Sequence, residues 1–276
     1  MDFFLGRLND MIRALSAVMA RELRKTIRQK SRLLASTVRP LIWLFIIGGG
    51  IGSITKNQQP GSYQEFIIPG ILGMTLLFGA MLSALTTVYD KESGVMRMMV
   101  IAPLPSYWIS LSKMLSAAIA GMIQGFILCI ILVISGLSGL SQLVSFEFVA
   151  AVTLTALACS GLGMLTAAVS KSLDNFAAIM NFVIFPVFFL SGALYPVSTL
   201  PTEIQWITII NPFTYGVDLL KHATQTSSNH SVDFSITLDC IILALFTIFA
   251  LAVSSWQFGR ESTRSTLIST LAKAKN

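Results

Sequence analysis

The sequence predicts an all-α integral membrane protein. Six transmembrane helices follow an N-terminal amphipathic helix at the membrane interface. A short cytoplasmic helix follows the second span, and short external re-entrant helices precede the last. Three observations carry this expectation. Apolar residues make up 54% of the 276 positions and charged residues 12%, about half the charge of an ordinary soluble domain. Mean hydropathy is +0.75, and 19 basic plus 13 acidic side chains cannot cover a 30 kDa globule. Six stretches are apolar over the roughly 20 residues that a helix needs to cross a bilayer. None alternates in the ten-residue pattern of a membrane barrel strand.

Residues 1–33 form the first expected unit. Leu8, Met11, Ile12, Leu15, Val18, Met19, Leu23 and Ile27 recur at helical spacing, with Arg7, Arg13, Arg21, Arg24 and Arg28 mostly off that stripe. This pattern fits a helix lying in the cytoplasmic headgroup layer; a soluble basic arm is the alternative. Its basic, interrupted sequence does not read as a signal peptide. Residues 34–258 form the expected membrane domain, with spans near 34–54, 66–89, 108–135, 147–170, 175–193 and 238–258. Residues 259–276 are expected to be a poorly ordered cytoplasmic tail.

Cation placement sets the orientation. All but two of the 19 lysines and arginines fall in residues 1–39, in the loop after the second span and the start of the third, in the turn after the fourth or in the tail. The other side holds only Lys56 and Lys221, together with Glu65, Glu147, Glu203, Asp218, Asp233 and Asp239. Both termini are therefore expected in the cytoplasm. The net charge of +6 is a topology signal rather than a nucleic-acid footprint.

The spans are nearly free of ionisable groups, unlike those of carriers driven by protons or sodium. Lys113 is expected to snorkel to the cytoplasmic surface, and Asp174 to cap the fifth span. Gln124 and Asn181 are the deepest polar side chains; each either faces a pathway or hydrogen-bonds a neighbouring helix. Cys129, Cys159 and Cys240 lie in apolar runs at spacings that fit neither a disulfide framework nor a zinc site. His222 and His230 are too few for a histidine-built centre, and no metal site is expected. No G-x-x-x-x-G-K-[ST] loop occurs, and Ala158-Cys159-Ser160-Gly161 lacks the leading glycine of a serine nucleophile motif. Neither ATP hydrolysis nor other catalysis is expected of this chain.

Two segments are more specific. Residues 90–106 are cytoplasmic by the cation rule yet rich in apolar side chains, with Met96, Met98, Met99, Val100 and Ile101 ahead of Pro103 and Pro105. The pattern fits a short surface helix. Its methionines either fill a groove on a partner or pack back onto the chain's own helix ends. Ser106 is a suitable cap for the next helix. Residues 194–222 hold two half-length apolar pieces punctuated by Pro196, Pro201 and Asn211-Pro212, too short to cross. Thr202 and Gln205 have the spacing of a capping box. These pieces read as external helices, either lidding a pathway or capping the bundle.

The ordered set of motifs resembles the membrane subunit of type-2 ABC exporters, of the drug-resistance, nodulation-factor and polysaccharide-export kind. It comprises Tyr63-x-x-Phe66-x-x-Pro69-Gly70, Glu92-x-Gly94 leading to Ala102-Pro103, and Phe189-Leu190-Ser191-Gly192. Further on come Tyr195-Pro196, Leu200-Pro201 and Asn211-Pro212-Phe213-Thr214-Tyr215 with Asp218. Met98-Met99 stands where that family often has a leucine pair.

The resemblance implies a dimer of permeases in the bacterial inner membrane. Separate ATPase subunits would bind ATP and Mg, and this chain would hold no cofactor. By the same resemblance, Glu92, Gly94, Met96, Arg97, Met98, Met99, Ala102 and Pro103 form the ATPase-coupling helix. Phe66, Gln124, Asn181, Phe185, Phe189, Tyr195, Trp206 and Tyr215 are the candidates for the pathway or external gate. The G-x-x-x-G spacings at Gly48/Gly52 and Gly121/Gly125 would serve close packing or the dimer seam. Sparse pathway charge favours an amphipathic, lipid-linked or hydrophobic cargo. The competing readings are a channel or carrier without an ATPase, and a structural membrane scaffold.

Overall fold

The computed structural model describes residues 2–50, 63–96, 98, 105–137, 145–224 and 232–273. Among these the secondary structure is helical throughout. In chain order it comprises α1 (Asp2–Arg28), α2 (Lys30–Trp43), α3 (Tyr63–Glu92), α4 (Ser106–Ile134), α5 (Phe146–Val169), α6 (Leu173–Phe189), α7 (Thr202–Ile210), α8 (Pro212–Thr224) and α9 (Ile236–Lys273). A π-helical turn, Leu44–Gly48, extends α2, and a 3-10 turn, Val197–Thr199, precedes α7.

Helix starts follow local chemistry. The Ser145 hydroxyl accepts from the Phe148 N–H at 3.1 Å and caps α5. At α6 the cap is Ser172, which accepts from the Asn175 N–H at 3.2 Å, and not Asp174. Asp174 lies inside the first turn, where its charge complements the helix dipole. Likewise Pro105 holds the cap position of α4, in extended conformation, so Ser106 is the first helical residue. Thr202 does not cap α7; instead Gln205 Nε2 donates to the Leu200 carbonyl at 2.8 Å. Pro212 opens α8, where its missing N–H costs nothing, and Asn211 Oδ1 accepts from the Phe213 N–H at 3.1 Å.

Among the described residues four helices are long and apolar enough to cross a membrane, Phe66–Glu92, Ser106–Ile134, Phe146–Val169 and Ile236–Arg260, which leaves two of the six expected spans unconfirmed. The first and fifth expected spans coincide with shorter apolar helices, Ser36–Gly48 and Leu173–Phe189. For the fifth, the reason is the turn after Phe189, where Gly192 adopts φ +73°, a left-handed conformation that a side chain would strain. The end expected for the first falls in residues 51–62, outside the described residues. At the tail, α9 extends to Lys273, with no proline after Gly259 to interrupt it.

The bundle is organised around α3, which packs against α2, α4, α5, α6 and α8. Its window of apolar residues is 89% buried, whereas that of α9 is only 17% buried and leaves a broad apolar face uncovered. Glycines bring α3 and α4 together. A Cβ on Gly121 would lie 3.0 Å from the Leu76 carbonyl oxygen, and one on Gly79 would lie 2.8 Å from Gly121 Cα. Gly121 and Gly125 thus serve packing within the chain rather than a dimer seam. Gly48 is buried in the same chain, and Gly52 lies outside the described residues.

From Phe66 to Asp90, α3 rises about 36 Å, so its ends stand a bilayer's thickness apart. One end meets α1; the other meets α8 and the turn after α6.

Candidate functional site

At the α1 end, α3 terminates in a cluster of charges. Lys113 of α4 is almost fully buried, and its Nζ lies 2.5 Å from Asp90 Oδ2 and 3.4 Å from Glu22 Oε1. Lys25 Nζ reaches Asp90 Oδ1 at 2.8 Å, and an Arg21 amine bridges Glu22 at 2.6 Å and Asp90 at 3.1 Å. The Thr86 hydroxyl donates to Glu22 Oε2 at 2.9 Å. Lys113 therefore does not snorkel outward, because α1 supplies a carboxylate beside it. Burial pushes the Glu22 carboxyl up, but Lys113, Arg21 and Lys25 outweigh that effect and hold it below its ordinary range. Beside the cluster, an open groove of about 480 Å³ is lined by Arg21, Arg24, Lys25, Arg28 and Tyr89.

The next residues turn away from α3. Lys91 Nζ donates to the last carbonyls of α5, those of Ala167, Ala168 and Ser170, at 3.1–3.3 Å. Its charge suits the negative end of that helix. Glu92 is exposed, and Gly94 takes φ +77° to start a new helical turn. Met96 is buried against Ile109, Met114, Met164, Ala168 and Phe258. Met98 is 75% exposed. The methionines thus divide between the two readings: one packs onto the chain's own helices and one faces outward. Arg97, Met99, Ala102 and Pro103 lie outside the described residues.

The opposite end is aromatic. Phe66 stacks on Tyr63 at 6.1 Å, and the buried Lys221 Nζ sits 5.4 Å above the Phe66 ring. Phe185 stacks on Phe189 at 6.3 Å, and Trp43 meets Phe189 edge-on at 5.6 Å. The Tyr195 hydroxyl donates to the Phe189 carbonyl. The Tyr215 hydroxyl donates to the Ile209 carbonyl at 2.8 Å, while its ring packs on Phe234 at 5.0 Å. These tyrosines therefore fasten the turns around α6, α7 and α8.

The remaining candidates stand apart. Gln124 is buried midway along α4 facing Gly79, and among the described residues its Oε1 has no hydrogen-bond donor. Asn181 is exposed on α6, and Trp206 is 66% exposed on α7. Within one chain the eight candidates do not converge on a single lumen.

Near the same end, Asp218 of α8 accepts the N–H groups of Asp233 at 3.0 Å and Phe234 at 2.9 Å. Burial nevertheless holds its carboxyl above the ordinary range. Lys221 pairs with Asp233 at 3.2 Å.

Sequence reasoning missed the cluster of Glu22, Asp90 and Lys113, although one signal was present. Glu22 and Thr26 occupy positions on α1 that continue the apolar stripe through Leu15, Val18 and Met19, and both are buried.

Comparison with known proteins is consistent with these features. Residues 13–224 match the family model described as ABC-2 type transporter. The chain is 29% identical to Nodulation protein J of Rhizobium leguminosarum bv. trifolii, covering 68% of this chain and 72% of the relative. It is 28% identical to the putative transport permease ycf38 of Pyropia yezoensis, over 85% of this chain and 79% of that one. It is 26% identical to the inner membrane transport permease YadH of Escherichia coli K12, over 76% and 82% respectively.

Proposed function

Because the chain belongs to the ABC-2 type transporter family of membrane permeases, we propose that two copies form the translocation pathway of an ATP-driven exporter. Separate ATPase subunits bind the ATP and Mg. The membrane is the bacterial inner membrane, with both termini in the cytoplasm, as the cation distribution favours. Residues 1–33 form the interfacial unit, 34–258 the membrane domain and 259–276 the tail, with 90–106 as the coupling segment and 194–222 as the external helices.

One observation carries the coupling role: the contrast between buried Met96 and exposed Met98 on a turn that continues from α3. Met96 anchors the segment to the bundle, and Met98 offers a deformable apolar side chain to a partner. Glu92, Arg97, Met99, Ala102 and Pro103 complete that surface, and Gly94 provides the bend. A push there acts on Asp90 and Lys91, and through them on α1, α4 and α5. At the far end, Phe66, Phe185, Phe189, Tyr195, Trp206 and Tyr215 shape the exit, with Gln124 and Asn181 contributing polarity along the route. The cargo is amphipathic, lipid-linked or hydrophobic, in keeping with the low charge of the spans.

The test uses the permease reconstituted with its ATPase in vesicles. Met98→Asp is expected to lower ATP-dependent transport at least tenfold while leaving membrane insertion and thermal unfolding unchanged, because the side chain is exposed. Normal coupling in Met98→Asp would overturn the docking role. Transport that persists without ATP but follows an ion gradient would replace the exporter by a carrier.

A further inference from the structure

At the end remote from α1, the buried carboxylates of Asp218 and Asp239 and the partly buried one of Asp233 gather near a single buried lysine. Lys221 serves Asp233, and Asp218 accepts two backbone N–H groups, one on each carboxylate oxygen, leaving a further lone pair on each. Asp239, in the first turn of α9, has no exposed surface, and neither of its oxygens has a hydrogen-bond donor among the described residues. Such an orphaned carboxylate calls for a ligand. Asp218 and Asp239 thus carry two charges that no lysine or arginine pairs with among the described residues.

His222 stands beside them. It lies one helical turn after Asp218 on α8, with Nε2 3.8 Å from Asp218 Oδ2 and 3.0 Å from the Phe234 carbonyl oxygen. One ligand atom from each of Asp218, His222 and Asp239 falls within 4.8 Å of the others. We propose that Asp218, His222 and Asp239, with the Phe234 carbonyl, bind one divalent transition-metal ion of the Zn²⁺ or Mn²⁺ kind.

Geometry and donor chemistry support this assignment. Zinc bonds of about 2.0–2.2 Å place neighbouring donors roughly 3 Å apart; in the metal-free chain the Phe234 carbonyl accepts from His222 Nε2 at 3.0 Å, and the ion takes the place of that proton. The two carboxylates close the remaining distance by side-chain rotation. One imidazole nitrogen among oxygens suits a transition-metal ion better than calcium or magnesium. Two carboxylates cancel a divalent charge in a site that solvent does not reach through Asp218 or Asp239. The His222 side chain is 23% exposed and provides the way in. Bound there, the ion joins α8 to the start of α9 across residues 225–231. Sequence spacing hides the site, because its histidine and second aspartate come from different helices.

The test is made on the full-length purified chain in nanodiscs, stripped with chelator and titrated with Zn²⁺ and with Mn²⁺. The expected result is one ion per chain retained through gel filtration, with a higher unfolding temperature than the stripped protein. Bound Mn²⁺ is expected to show imidazole nitrogen coupling in pulsed electron paramagnetic resonance. Asp239→Asn and His222→Ala are each expected to weaken binding at least tenfold, and His222→Ala to abolish the nitrogen coupling. His230→Ala retains both. A wild-type chain that holds no ion and gains no unfolding temperature overturns the proposal, whether or not the variants fold. So does an ion lost from His230→Ala but kept by His222→Ala.

Discussion

The two ends of α3 treat buried charge in opposite ways. Around Asp90 and Glu22, three cations from two helices meet two carboxylates, and each acid has at least two charged or hydroxyl donors. Around Asp218 and Asp239, carboxylates exceed the cations among the described residues, and one of them has no donor there. A buried charge is tolerated when it is paired, so the first cluster behaves as a structural rivet. The second is an unfinished site, complete only when something positive arrives.

Substitutions should therefore act with opposite signs at the two ends. The largest effect is expected at Lys113. Lys113→Met leaves Asp90 and Glu22 dependent on the more exposed Arg21 and Lys25, and should cost about 3–5 kcal/mol in reversible unfolding. Combining it with Asp90→Asn should recover part of that loss, since the two residues are in direct contact. Equal additive costs would break the comparison.

At the other end, in protein stripped of metal, Asp239→Asn should raise stability by about 1–3 kcal/mol, because a charge without donors is removed. Loss of stability in the stripped protein would show that Asp239 is already satisfied. The smallest effect concerns acid. Glu22 has a lowered carboxyl, so its contribution is complete above its ordinary value of 4.5 and fades as pH falls through the lowered one. Unfolding temperature followed down that range should fall less steeply in Glu22→Gln than in the native chain.

Much of the fold was legible because lipid imposes a simple rule on sequence: long apolar helices with cations at one side. The two shortened helices were not legible. Leu173–Phe189 reads as continuous with Leu190 to Ala193 in hydropathy, and only the left-handed Gly192 ends it. Nor was the split between buried Met96 and exposed Met98 legible, since the segment fits both readings until its packing is known. The charge clusters were not, since Glu22, Asp90 and Lys113 lie far apart in sequence and meet only when α1 folds back on the bundle. Glu22 on the apolar stripe of α1 was the one local hint. Lys113 alone gave the opposite impression, because an isolated lysine near a span end normally reaches for water.

The glycine contacts between α3 and α4 have a mechanical consequence. Where Gly121 touches the Leu76 carbonyl, no intervening side chain can change rotamer and absorb a movement. The pair is a stiff rod with a charged handle at one end and the Phe66 ring at the other. A displacement of Asp90 along that axis would therefore move Phe66, and Lys221 packed on its ring, with little loss.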